Sequence, residues 1–199
     1  MHFTSICVFC GSRKGANPIY EQAARQLGRH FAGQGIRLVY GAGKVGLMGV
    51  MADACLEQGG EVTGVIPHFL RRWEVCHEGL TDLVLVDTLF ERKVKMAELS
   101  QATVSLPGGY GTLDELFEMV TLVQLRQLYQ PVGLLNINGY FDPLLSQIRH
   151  MYQEGFMSEF HYRLIQVADN LEELLQKMSD WMEENPENKS ASPGKWGKG

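Results

Sequence analysis

The chain has 199 residues, 45% of them hydrophobic and 21% charged, which excludes a disordered or fibrous chain and matches one domain with a real core. Eighteen Lys and Arg against 23 Asp and Glu give a net charge of −5, the reverse of the basic footprint of a nucleic-acid binder, although a local positive pocket could still hold a small anion. No apolar run approaches the roughly 20 residues that span a bilayer, and no basic region precedes the short apolar run of the N-terminus, so a cytoplasmic protein with no membrane or nucleic-acid partner is expected.

Short β-rich runs alternate with segments of helical period, the pattern of βαβ units and a parallel sheet. Strands are predicted at Ser5–Cys10, Ile36–Tyr40, Glu61–Ile66, Leu83–Val86, Ala102–Leu106 and Val132–Asn136, with a last short one near Leu164–Val167. Helices fill the gaps. The first is announced by Asn17 as N-cap and Pro18 at the first helical position, followed by a stripe of Tyr20, Ala23, Ala24, Leu27 and Phe31. The last starts at Asn170, with Glu173 three residues on, and carries Leu171, Leu174, Leu175, Met178 and Trp181 before Pro186. The expected fold is α/β, a doubly wound parallel sheet flanked by helices in a single domain over 1–184. Residues 185–199, rich in Asn, Lys, Ser, Pro and Gly, are expected to form a disordered tail.

Cys7 and Cys10 spell C-x-x-C, yet on a strand residues three apart face opposite sides, and no second pair completes a zinc site. Buried, reduced thiols are expected. The six histidines show no metal-ligand spacing, so neither a metal nor a cofactor is called for.

Ligands of doubly wound sheets bind beyond the carboxyl ends of the strands, and three turns there are rich in glycine. Gly11-Ser12-Arg13-Lys14-Gly15 offers a hydroxyl and backbone N–H groups ahead of a helix. Gly41-Ala42-Gly43-Lys44-Val45-Gly46 spells the dinucleotide fingerprint but follows the second strand, and the acidic residue about twenty on, Glu61, opens the next strand instead of ending it. Its glycines serve either close ligand approach or helix packing. The third, Pro107-Gly108-Gly109-Tyr110-Gly111-Thr112-Leu113-Asp114-Glu115, sets three glycines and a hydroxyl at a helix start, a cradle for phosphate. Thr112 and Glu115 also have the spacing of a capping box.

Pro107-Gly-Gly-Tyr-Gly-Thr-Leu-Asp-Glu115, preceded by Glu91-Arg92-Lys93, resembles the P-G-G-x-G-T-x-x-E and R-K signatures of the LOG (LONELY GUY) family, cytokinin riboside 5′-monophosphate phosphoribohydrolases that often carry a lysine decarboxylase label. The likeness runs from Cys10-Gly-Ser12 through Tyr40 to Gly49 and on to Pro131-Val-Gly-Leu-Leu-Asn136, nearly the whole chain except its tail. The resemblance implies a Rossmann-like fold, a homodimer or larger assembly, and hydrolysis of the N-glycosidic bond of adenine-type nucleoside 5′-monophosphates, AMP or a cytokinin riboside monophosphate, to free base and ribose 5-phosphate, a step of cytokinin biosynthesis. It implies Glu115 as catalytic carboxylate and Arg92 as its basic partner. Gly108, Gly109, Tyr110, Gly111 and Thr112 would form the phosphate and ribose cradle, with Lys93 and Asp114 beside it. Ser12, Glu74 and Thr121 match further ligand positions. Ala42 replaces the middle glycine of the family's G-G-G, a change a tolerant backbone could absorb. Leu89-Phe90 stands where M-H is common, a departure that bears on substrate preference.

Cleaving a ribosyl bond passes through an oxocarbenium-like ribose, which a carboxylate stabilises while orienting or deprotonating water. Three alternatives remain: a nucleotide-binding regulator without catalysis, lysine decarboxylation on pyridoxal phosphate, for which no Schiff-base lysine can be placed, and NAD-dependent oxidoreduction resting on Gly41 to Gly46 alone.

Overall fold

The computed structural model describes residues 2–72 and 76–185. Glu74 and the tail from Pro186 onward lie outside the described residues.

Seven strands form one parallel sheet in the order β4-β3-β2-β1-β5-β6-β7: β1 (Ser5–Phe9), β2 (Arg37–Tyr40), β3 (Val62–Pro67), β4 (Asp82–Val86), β5 (Thr103–Ser105), β6 (Val132–Leu135) and β7 (Ile165–Ala168). The predicted strands are all present, with no end displaced by more than one residue. The central strands read as continuous apolar runs because helices cover both faces, and β3 is buried along its whole length. The edge strands β4 and β7 are only half-buried.

The helices are α1 (Pro18–Gly33), α2 (Gly46–Leu56), α3 (Leu89–Glu98), α4 (Tyr110–Gln124), α5 (Asp142–Gln153), a short α6 (Glu159–Tyr162) and α7 (Leu171–Glu184). The Asn17 side chain accepts from the Ile19 N–H at 3.1 Å with Pro18 next in line, and Asn170 accepts from the Glu173 N–H at 2.9 Å. Ala23, Ala24, Leu27 and Phe31 form the buried stripe of α1, where Leu27 and Phe31 contribute roughly 1.5–3 kcal/mol each. Gly28 brings α2 close, since a Cβ there would collide with the Met51 carbonyl.

The chain leaves β1 toward β2, β3 and β4, then crosses back through α3 to β5 on the other side of β1. The β1/β5 boundary is therefore the point where the winding reverses, and the crevice above it is where such sheets bind ligands. There the Gly11 N–H donates to the Pro107 carbonyl at 3.0 Å, and the Leu47 N–H donates to the Gly11 carbonyl at 3.1 Å. All three glycine-rich turns are thus drawn together.

The four cysteines are free thiols, with Cys7, Cys10 and Cys55 buried. Burial pushes the Cys55 thiol up to about 11. Among the described residues, no helix is long and apolar enough to cross a membrane.

Candidate functional site

Glu91, Arg92 and Lys93 are adjacent in sequence, but a helix turns about 100° per residue, so α3 sends them to three places. Glu91 serves the start of the helix: Thr88 caps α3 by accepting from the Glu91 N–H at 3.0 Å, and the Glu91 carboxylate accepts from the Asp87 N–H at 2.9 Å. Arg92 points to the sheet, 8% exposed, where its Nε donates to the Val65 carbonyl and its Nη2 to the Gly41 carbonyl, both at 3.2 Å. This is a fixed guanidinium at the ends of β2 and β3. Lys93 points to α4 and pairs with Asp114 at 3.0 Å and with Glu118. Burial alone would lower its pKa, but the Glu118 and Asp114 carboxylates outweigh that and raise it.

The turn after β5 starts α4 differently from the capping-box expectation. Gly109, which has no side chain to cap with, is the N-cap, and Thr112 is buried in the first helical turn. The spacing of Thr112 and Glu115 fits a box, but the helix begins three residues earlier. The glycines of this turn fall into two groups. A Cβ on Gly108 would overlap the Thr112 side chain, so the fold itself requires that glycine. Gly109 and Gly111 face open space and have no left-handed φ. Packing and backbone conformation leave these two unexplained, whereas close approach of a ligand to bare N–H groups explains both.

The run from Gly41 to Gly49 is the opposite case, and packing decides between the two readings. A Cβ on Gly41 would overlap Arg92, on Gly43 would press on Met48, on Gly46 on the Ser12 backbone, and on Gly49 on the Lys44 carbonyl. Each glycine makes room for this chain. Ala42 is not at a tolerant position: it is buried with φ of 62°, a left-handed conformation that L-residues rarely take. Its methyl fits because Gly64 lies opposite, where a Cβ would come within 2.7 Å of it.

Glu115 is half-buried on α4. Burial raises the Cys7 thiol strongly, the charge of Glu115 adds to it, and the charge of Arg92 opposes it. Cys10 is also raised, by burial and then by Glu115. Glu115 is therefore felt at both Cys7 and Cys10, and Arg92 at Cys7 in the middle of β1. Ser12 is exposed and, with Gly11, Gly108, Gly109, Tyr20 and Tyr140, lines a cavity of about 360 Å³. Thr121 is exposed on α4, where its hydroxyl donates to the Phe117 carbonyl at 2.7 Å. It lies nine residues beyond Thr112, about 13 Å along the helix. A larger cavity of about 720 Å³, between α5, β7 and α7, contains none of the motif residues. Sequence reasoning missed Thr88, whose T-x-x-E spacing to Glu91 was a readable signal, and Tyr140, which had none.

The family model described as "Possible lysine decarboxylase" matches residues 48–178. The cytokinin riboside 5′-monophosphate phosphoribohydrolase LOG of Oryza sativa subsp. japonica is 44% identical over 182 residues, 92% of this chain and 75% of that protein. LOG7 of Arabidopsis thaliana, of the same name, is 44% identical over 179 residues, 90% of this chain and 82% of its own length. Two solved structures share the fold. The molybdenum cofactor binding protein of Rippkaea orientalis has a TM-score of 0.67 at 20% identity, covering 92% of this chain and 99% of that one. The Moco carrier protein of Chlamydomonas reinhardtii has a TM-score of 0.64 at 19% identity, covering 90% and 98%. The matched model and the identity to two plant phosphoribohydrolases over nine-tenths of the chain place this protein in the LOG family.

Proposed function

We propose that this protein hydrolyses the N-glycosidic bond of adenine-type nucleoside 5′-monophosphates, releasing the free base and ribose 5-phosphate. The observation that carries the reading is the pair Gly109 and Gly111, which the fold does not need and which leave the start of α4 bare. The first N–H groups of a helix have no partner within it, and together with the helix dipole they attract a phosphate.

With the phosphate on that turn, the ribose extends toward Arg92 and Glu115. Glu115 carries negative charge next to the oxocarbenium ion that forms as the C1′–N bond breaks, and it takes one proton of the water whose oxygen bonds C1′, while the departing base takes up a proton from solvent. Arg92 is held by two carbonyls and so meets the substrate without reorganising. Ser12 and the Gly108–Thr112 turn bind the phosphate and ribose, and Glu74 adds a further nucleotide contact. Lys93 and Asp114 act at the flank. Their cluster with Glu118 holds one positive and two negative charges, so it serves the cleft by fixing α3 against α4.

We also propose a homodimer. Leu89 and Phe90 on α3 and Phe117 and Leu125 on α4 are exposed, an apolar surface beside the cleft that a second copy would cover. Thr121, too far along α4 to meet the cradle of its own chain, would then lie in the contact. Sedimentation of wild type and Leu125→Glu checks this, with a dimer expected for the first and a shift toward monomer for the second.

The activity is tested by incubating the purified protein with AMP and with isopentenyladenosine 5′-monophosphate and measuring free base and ribose 5-phosphate by chromatography. Base release from either is expected, with Glu115→Gln binding the nucleotide but losing most turnover. Bound AMP without product over hours would instead favour a nucleotide-binding regulator.

A further inference from the structure

After β6 the chain makes a tight turn whose backbone is strained. Asn138 has a φ of 53° and Gly139 a φ of 66°, two left-handed residues in succession. Among non-glycine residues asparagine takes this conformation most readily, and it persists where its surroundings hold it. Here Asn136 does so, accepting from the Phe141 N–H at 2.8 Å and donating to the Asp142 carboxylate at 2.7 Å. The turn delivers Tyr140, whose hydroxyl donates to the Gly108 carbonyl at 2.6 Å. The ring is braced edge-on by Phe141, with centroids 4.9 Å apart, and by Tyr20 at 5.7 Å.

We propose that Tyr140 is a positioning residue for the phosphate cradle, a role that deepens the phosphoribohydrolase reading and rests on it. The peptide between Gly108 and Gly109 has no Cβ on either side and would otherwise rotate with little resistance. A trans peptide points its N–H opposite to its C=O. With the Gly108 carbonyl held by Tyr140, the Gly109 N–H is turned away from the tyrosine. There it joins the N–H groups of Tyr110 and Gly111 as a donor to the 5′-phosphate. The ligand moiety that depends on Tyr140 is thus the phosphate monoester, not the base.

Tyr140→Phe tests this, since it removes one oxygen from a half-exposed ring and leaves its edge-on ring contacts in place. Three quantities are compared with wild type: hydrogen exchange of the segment 107–112 in the ligand-free protein, calorimetric affinity for AMP and for adenosine, and kcat and KM for AMP. Faster exchange of that segment is expected. AMP affinity should weaken and KM rise by roughly three- to tenfold, the effect of one hydrogen bond, with adenosine affinity and kcat within about twofold and the thermal midpoint retained. Unchanged exchange together with unchanged AMP affinity would overturn the proposal, as would an equal loss for AMP and adenosine. Wild-type protein that binds neither AMP nor isopentenyladenosine 5′-monophosphate would overturn the phosphoribohydrolase reading and the phosphate role together, and exchange in the ligand-free protein would still decide whether Tyr140 holds the peptide.

Discussion

The guanidinium of Arg92 fills the volume that a side chain on Gly41 would occupy, while its Nη2 donates to the carbonyl of that same glycine at 3.2 Å. Glycine at 41 and arginine at 92 are thus one device. Gly41→Ala should push the guanidinium off its two carbonyls, lowering AMP turnover by about a hundredfold and stability by roughly 2–3 kcal/mol, because buried acceptors lose their donor. Steady-state kinetics and urea denaturation measure the two, and wild-type turnover in this variant would show that the position of Arg92 is irrelevant to the reaction.

Gly111 should separate stability from activity. It lies within α4 with open space around it, and glycine in a helix is worth about 0.8–1 kcal/mol less than alanine. Gly111→Ala should therefore stabilise the protein by about 0.5–1 kcal/mol while raising the KM for AMP severalfold, since the new methyl stands in the path of the phosphate. A stabilised variant with unchanged KM would remove Gly111 from the binding surface.

Ala42 and Gly64 should be coupled. Gly64→Ala alone forces its methyl against the end of the flexible Leu80 side chain at 2.5 Å and against the Ala42 methyl at 2.7 Å, and such overpacking costs roughly 1–3 kcal/mol. Ala42→Gly removes the opposing methyl and relieves the left-handed strain, so the double variant should recover at least about 1 kcal/mol of that loss. Additive losses in denaturation of the four proteins would contradict the contact.

Lys93 bears on pH dependence. Its pKa lies above the ordinary 10.5, because Glu118 and Asp114 together outweigh the effect of burial. A lysine whose folded pKa is raised contributes its stabilisation fully below the unfolded value and loses it as pH rises through the folded one. The stability gap between wild type and Lys93→Met should thus be about 1–2 kcal/mol at pH 7, persist at pH 9 and close only above about 10.5. The same variant should lose affinity for AMP and adenosine alike, and a loss confined to AMP would place Lys93 at the phosphate.

The strands and the main helix caps were legible because their signals are local: apolar runs bounded by glycine, Asn17 before Pro18, Asn170 three residues before Glu173. The Glu91-Arg92-Lys93 motif was legible only as a unit. Its division into a cap, a buried cation and a link between helices depends on which way α3 faces, and that is set by the sheet. Thr112 misled because a correct spacing belonged to a helix already begun at Gly109. Tyr140 could not be seen at all, since 32 residues separate it from Gly108 and nothing in either segment names the other.

The central strand β1 pairs with a near neighbour and a distant one: Cys7 stands opposite Val39 on one side and opposite Thr103 on the other. The second pairing closes a far longer loop, at a higher entropic cost, and long-range parallel pairing is intrinsically slow. Arg92 is already held at the ends of β2 and β3, but the Gly108–Thr112 turn joins it at the cleft only when that seam has closed. Turnover is then a reporter of the last stage of folding: after dilution from denaturant, recovered hydrolysis should trail the return of helical signal, and a variant that loosens β5 should delay activity more than it delays secondary structure.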